Sequence, residues 1–342
     1  MDAAAWLSVA PVDARRHLGD TPAAVRRAFK TLAAAWHPDA CHDPQAGAVF
    51  AHLVALRDAA LKGTPAAKTS VRPKRVLRTA DGRQMATDPV STFTTDTCEV
   101  LVGRKTVAFL YAAGMEDMAN AARAAWSSLR TADDRMEKAF RPTAPTPAGM
   151  DVGMKGGGHL LTIARPKGYV ALRDLLIHLG GAIHPHHVAW IGSGLFNQVA
   201  WFQWMGLAHG AIGLDTVFVD PTTHGVTVLG GWECATRLGE RPKALPEATL
   251  RALPRLEAAG QVVDATTDAV LVREVLRALL AQPAALRPTG PDIPDAFADA
   301  FSRPPQATAP AEYKAWIESV EKAWGPRQFR VLDTDEGRIY GL

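Results

Sequence analysis

Cysteine is scarce in this 342-residue sequence: Cys41, Cys98 and Cys234 are the three, widely spaced and without a C-x-x-C pair. That excludes a disulfide framework and fits a reducing compartment. Charge of one sign is also lacking, since 38 Lys and Arg stand against 35 Asp and Glu for a net +3. A balance so near neutral excludes nucleic acid or an acidic membrane as the main partner through bulk charge. No secretory leader is expected at the start MDAAAWLSVAPVDARR, where an acid takes the place of base and Pro11 and Asp13 break the apolar stretch. A cytoplasmic protein is expected. Long uncharged runs are few, and the one from 188 to 208 could span a bilayer. Its Ser193, Asn197, Gln198 and Gln203, with three glycines, suit a buried helix of a globular domain instead. No membrane contact is expected.

What is present is 47% hydrophobic composition, enough for one large core or two unequal domains. Residues 1–62 are alanine-rich with helical spacing. Residues 63–89 turn to Thr, Pro, Lys and Arg without sustained periodicity and read as a linker. Its VRPKRVLR run, with Arg72, Lys74, Arg75 and Arg78, reads as a solvated connector. Residues 90–166 carry short strand-like runs around one helix, and residues 167–342 are mainly helical. The fold class is α+β: a small helical hairpin, then a small β-rich lobe and a larger helical lobe. Within the latter, two strand-like runs hinge on Asp220, Pro221, Thr222 and Thr223.

Thr21 and Pro22 start a helix, by a capping hydroxyl and a proline suited to the first turn. Val25, Phe29, Leu32 and Trp36 then fall at i, i+4, i+7 and i+11 as one apolar stripe, while Arg26, Arg27 and Lys30 gather on another face. His37, Pro38 and Asp39 follow; the proline ends the helix and leaves an imidazole and a carboxylate on a rigid turn. A second amphipathic helix presents Val49, Leu53, Leu56 and Ala60. Helix, HPD turn and helix together resemble the J domain of the DnaJ family over about 40 residues. The resemblance implies engagement of an Hsp70-type chaperone and stimulation of its ATP hydrolysis through His37, Pro38, Asp39, Arg26, Arg27 and Lys30. A helical hairpin that keeps the turn for structural reasons, with His37 capping the preceding helix, is the alternative.

Farther on, AHGAIGLDTVFVDPTTHGVTVLGGWECA resembles the catalytic-loop to metal-loop region of small bacterial and phage protein-kinase-like proteins, of the form HGDIKPSNILVD followed by VKLIDFG. His209 and Gly210 hold the HG positions. By this resemblance the catalytic Asp becomes Ala211, the phosphate-facing Lys becomes Gly213, the metal-binding Asn becomes Thr216, and the metal-binding Asp of DFG becomes Gly230. In the small lobe TVAFLYA resembles the strand ending V-A-I-K, with Leu110 in the Lys position; the next helix has Ala121 and Ala122 where a glutamate belongs, and no glycine-rich phosphate loop precedes it. ATTDAVLVREVLRALL resembles the large central helix, with Asp268 at the acidic position that braces the HG turn, and WGPRQFRVLD resembles the family's closing stretch. Phosphoryl transfer needs metals, a lysine and a base around the transferring group, so this pattern implies a pseudokinase and no cofactor.

Three features invite other readings. His184, His186 and His187 could ligate a metal, but no cysteine or carboxylate follows at ligand spacing, and no metal site is expected. Gly156, Gly157 and Gly158 read as a hairpin turn and not as a phosphate cradle. Trp190, Trp201 and Trp204, at helical spacing, read as core. The function expected is a non-catalytic co-chaperone or adaptor, whose HPD module recruits an Hsp70 and whose pseudokinase domain binds a protein client or assembly partner. An accessory component of a phage-related assembly, in the host cytoplasm, and an atypical kinase using Asp215 and Lys105 are the alternatives.

Overall fold

The computed structural model describes residues 3–7, 9, 14–18, 22–36, 41, 43–62, 75–258, 260–283 and 285–342. Backbone contacts divide the chain into two units, Met1–Val71 and Arg72–Leu342.

Among the described residues the first unit holds four helices: α1 (Ala3–Leu7), α2 (Ala14–Leu18), α3 (Pro22–Ala35) and α4 (Ala46–Lys62). Val25 of α3 is buried, with Phe29, Leu32 and Trp36 packed beside it, against the buried Val49, Leu53, Leu56 and Ala60 of α4. The apolar stripes of the two longer helices thus face one core. Trp6, Val9, Ala14 and Leu18 complete it. The hairpin reading omitted α1 and α2; five residues each are too few to display a 3.6-residue period. His37, Pro38 and Asp39 lie outside the described residues. Arg26, Arg27 and Lys30 fall in α3, and their side chains are outside the description.

In the second unit, β1 (Arg75–Arg78) and β2 (Gln84–Thr87) pair antiparallel, Leu77 opposite Met85. The linker reading of 63–89 therefore fails over 75–87. Only Leu77 of β1 is buried, against Leu101, Met154 and Leu160, while Val76 is exposed between the arginines, so the strand reads in sequence as a charge run.

The small lobe is a five-stranded antiparallel sheet of order β3-β4-β5-β7-β6, made of β3 (Ser91–Thr94), β4 (Cys98–Val102), β5 (Thr106–Tyr111), β6 (Pro147–Gly153) and β7 (His159–Ala164). Two helices, α5 (Glu116–Ser128) and α6 (Asp134–Phe140), interrupt it after β5. The reading of a single helix missed α6, which Asp133 caps by accepting from the Met136 amide at 2.8 Å. Gly156, Gly157 and Gly158 turn β6 into β7, all at positive φ.

The larger lobe follows as β8 (Val170–Ala171), α7 (Leu172–His178), α8 (Pro185–Trp204), β9 (Leu207–Ala208), β10 (Val217–Asp220), β11 (Gly225–Val228), β12 (Thr236–Arg237), α9 (Glu247–Ala252), α10 (Arg255–Ala258), α11 (Thr267–Leu279), α12 (Asp295–Ser302), α13 (Ala309–Trp324) and α14 (Glu336–Tyr340). Strands β8, β10 and β11 form one small sheet, and β9 pairs β12. The uncharged run at 188–208 is mostly α8, buried among α11, α13 and β11. A Cβ on Gly192 would lie 2.5 Å from the Trp316 ring and 2.8 Å from Leu276, so glycine is what lets these helices close on α8. No helix among the described residues is long and apolar enough to cross a membrane. Glu312 of α13 anchors this lobe: with its side chain fully buried, it accepts from Arg273 at 2.6 Å and from Arg303 at 2.9 Å.

Candidate functional site between the sheet lobe and the helical lobe

The segments that resemble phosphate-transfer loops meet under the five-stranded sheet. Asp268, at the start of α11, accepts from the His209 amide at 2.7 Å and the Gly210 amide at 2.8 Å, one per carboxylate oxygen. Burial raises its carboxyl to about 6 against the opposite pull of those two donors. The His209 ring is fully buried, 5.8 Å from Phe202 and edge-on to Trp232 at 4.8 Å. Burial lowers its imidazole to about 3, so it is neutral at pH 7.

The next six residues close on themselves. Thr216 Oγ1 donates to the Ala211 carbonyl at 2.7 Å and accepts from the Gly213 amide at 2.9 Å. Gly230 and Gly231 then run directly across this loop. Gly231 has φ 78°, and a Cβ on it would lie 2.9 Å from the Ala211 Cβ, 3.0 Å from His209 Cε1 and 3.0 Å from Thr216 Cγ2. A Cβ on Gly230 would lie 3.3 Å from Thr216 Cα and 3.5 Å from the Phe109 ring. Ala211, Thr216, Gly230 and His209 are thus brought together, with Gly213 in the same loop; no room is left at 231 for a larger side chain, and one at 230 would crowd the Thr216 backbone. Trp232 fills the space behind, its Nε1 donating to the Val228 carbonyl at 3.0 Å.

Leu110 does not belong to this site. Side chains alternate along a strand, and β5 buries Val107, Phe109 and Tyr111 toward the helices while Leu110 packs on the opposite face beside Leu77, Leu101, Met154 and Leu160. Matching letters to V-A-I-K put the residue one step out of register; the cleft-facing positions are Phe109 and Tyr111. Ala122 of α5 is fully buried against this inner face, together with Ala119 and Trp126.

Sequence reasoning missed a buried cluster next to these positions. Glu233 is 3% exposed and accepts from Tyr111 Oη at 3.1 Å and from the Thr97 hydroxyl. Burial, and next the Glu233 charge, hold the Tyr111 phenol well above its ordinary value. The alternation of β5 is a signal that could have found Tyr111; nothing local marks Glu233.

Outside this packed centre a cavity of about 380 Å³ opens between the β3–β4 turn and α9. Its charged walls are Asp96, Asp215, Glu233 and Glu247 with one cation, Arg251. Asp215 accepts from Arg173 at 2.8 Å and is half exposed. Lys105 sits exposed in the β4–β5 turn and does not border this cavity. Among the described residues no group of three or more His, Cys, Asp or Glu side chains is placed to hold a metal ion.

The histidine trio opens α8. His184 Nδ1 accepts from the His186 amide at 3.3 Å as its cap, and His187 Nδ1 accepts from Trp190 Nε1 at 3.3 Å. Trp190 and Trp201 are buried, whereas Trp204 is 46% exposed with Arg130 above its ring; the core reading fails for Trp204, which lies at the solvent end of α8.

No family model matches this chain, and no curated protein matches it. Among solved structures it is similar to vaccinia related kinase 3, with 12% identity, a TM-score of 0.44 and coverage of 78% of this chain and 95% of that one. The chain is a mixed α and β protein in which a sheet lobe caps a helical lobe.

Proposed function

We propose that this chain is a non-catalytic co-chaperone or adaptor, in which a J-like module recruits an Hsp70-type chaperone and a degenerate protein-kinase-like domain binds a protein partner. The observation that carries the non-catalytic half is the crowding around the Gly230–Gly231 pair, where a Cβ on Gly230 would lie 3.3 Å from Thr216 Cα and one on Gly231 would lie 2.9 Å from the Ala211 Cβ. The positions that would hold base, metal ligands and metal carboxylate in an active relative lack the side chains, and a Cβ added at Gly230 would crowd Thr216. The residues present do not fit Mg-ATP: Gly230 offers no metal ligand, Thr216 spends its hydroxyl on its own loop, and the adjoining cavity is walled mainly by carboxylates that repel phosphate. Loss of one preorganised electrostatic partner costs about 100- to 1000-fold in rate. Loss of all of them leaves binding as the remaining role.

The kinase-like reading is supported by the small antiparallel sheet interrupted by α5, the helical lobe that follows, and the bracing of the His209–Gly210 turn by Asp268. The J-like reading is supported by α3 and α4, packed through Val25, Val49, Leu53 and Leu56 on either side of the segment that carries His37, Pro38 and Asp39. ATP turnover by an Hsp70-type chaperone, measured with the full-length protein and with His37→Gln, tests the recruiting role. Stimulation by the natural sequence that is lost in the variant is expected. No stimulation by either would contradict it.

A further inference from the structure

Far from the interlobe site, the N-terminal half of α8, the α13 helix, the β10–β11 turn and the strap at 325–330 enclose a cavity of about 830 Å³. That size falls within the roughly 300–1,000 Å³ of small-molecule sites. Its walls are flat rings. Trp190 and His224 stack at 4.4 Å with 4° between their planes, and Phe329 of the strap lies on the other face of His224 at 4.1 Å. His186 packs on Trp324 at 4.5 Å. The residue that presents the central ring, His224, is held at φ 61°, a conformation few side-chain-bearing residues adopt.

The cavity's charged groups are Lys314, Arg327 and Arg330 against Glu318 and Glu321. Lys314 and Glu318 pair at 3.9 Å. Arg327 and Arg330 are exposed on the strap, and neither guanidinium forms an ion pair among the described residues. Burial lowers the imidazoles of His186, His187 and His224; the Arg330 charge adds to this at His186 and His187 and the Arg327 charge at His224, where a hydrogen bond with the Arg330 backbone acts the other way, and the histidines are neutral near pH 7. Arg327 and Arg330 are then the unspent cations, and a guanidinium offers paired donors suited to carboxylate or phosphate.

We propose that this cavity binds a small aromatic anion, its ring among the Trp190, His224 and Trp324 rings and its carboxylate or phosphate on Arg327 and Arg330. The strap supplies both the cations and Phe329, so ligand and strap order one another. The site is independent of the interlobe reading, since it shares no residue with it.

The full-length protein should be titrated with 2-naphthoate, 2-naphthyl phosphate and the uncharged 2-naphthamide, followed by calorimetry and tryptophan fluorescence. At least one of the two anions is expected to bind at least tenfold tighter than the amide, and whichever binds tighter distinguishes carboxylate from phosphate. Arg327→Ala with Arg330→Ala, both exposed and so not needed for folding, is expected to weaken that anion at least tenfold, and Phe329→Ala to weaken all three compounds. No binding of either anion, or binding unchanged by the double variant, would overturn the proposal.

Discussion

Tyr111 donates its phenolic hydroxyl to Glu233 at 3.1 Å, across 122 residues of chain. With the Thr97 hydroxyl on the other carboxylate oxygen, this one buried side chain ties β5 and the β3–β4 turn to the segment after β11. Removing it by Glu233→Ala leaves two buried hydroxyls without their acceptor and should cost about 2–4 kcal/mol. Glu233→Gln should cost less than about 1.5 kcal/mol, because hydroxyls rotate and can accept from an amide as well as donate to one. Urea unfolding of the two variants checks the difference, and equal losses would show that the cluster does not hold the lobes through hydrogen bonds.

The Asp268 cluster should respond in the opposite way. Backbone amides cannot rotate to suit a new partner, and an asparagine side chain offers one acceptor oxygen where the His209 and Gly210 amides require two. Asp268→Asn is expected to destabilise by about 2–3 kcal/mol, as a buried donor is left facing an NH2 group. Hydrogen exchange at the His209 and Gly210 amides should rise in the same variant.

Acid should weaken the fold through His209. Its folded value near 3 lies below the ordinary 6.5, so below pH 6.5 the unfolded chain binds a proton that the folded one refuses. Stability from this group is complete above 6.5 and is lost as pH falls toward 3, about 2 kcal/mol by pH 5. Asp268 runs the other way, because its raised value lets the folded state take up a proton near 6 before the unfolded state does at about 3.8. Denaturant unfolding at pH 7 and pH 5 of the natural sequence and His209→Asn separates the two: the variant should lose less stability on acidification, by about that amount.

Glu312 carries a larger local stake. With Arg273 and Arg303 both on its buried carboxylate, Glu312→Ala should cost about 3–5 kcal/mol, since it strands two guanidiniums inside the helical lobe. A melting temperature within a degree or two of the natural protein would contradict the assignment of this cluster as an anchor of the α11–α13 contact.

Much of this architecture was legible where periodicity is strong. The stripes Val25-Phe29-Leu32-Trp36 and Val49-Leu53-Leu56 announced two packed helices, and the run around Trp190 to Phe202 announced a buried one. β1 was not legible, because two adjacent apolar residues between arginines, only Leu77 of them buried, carry no period, and α6 was lost because its signal is a single capping aspartate. Leu110 was misplaced by matching letters where strand alternation should have decided. At the site, the Asp268 contact with His209 could be inferred only through resemblance, since 59 residues separate the partners. Glu233 had no local signature at all: its role exists only once β5 and the segment after β11 are brought together.

Transfer of label from γ-labelled ATP with magnesium, to the protein itself and to added protein substrates, is the most direct test of an inert interlobe site. No transfer above background is expected, from the natural sequence or from Asp215→Asn. Magnesium-dependent transfer by the natural sequence that disappears in Asp215→Asn would contradict it.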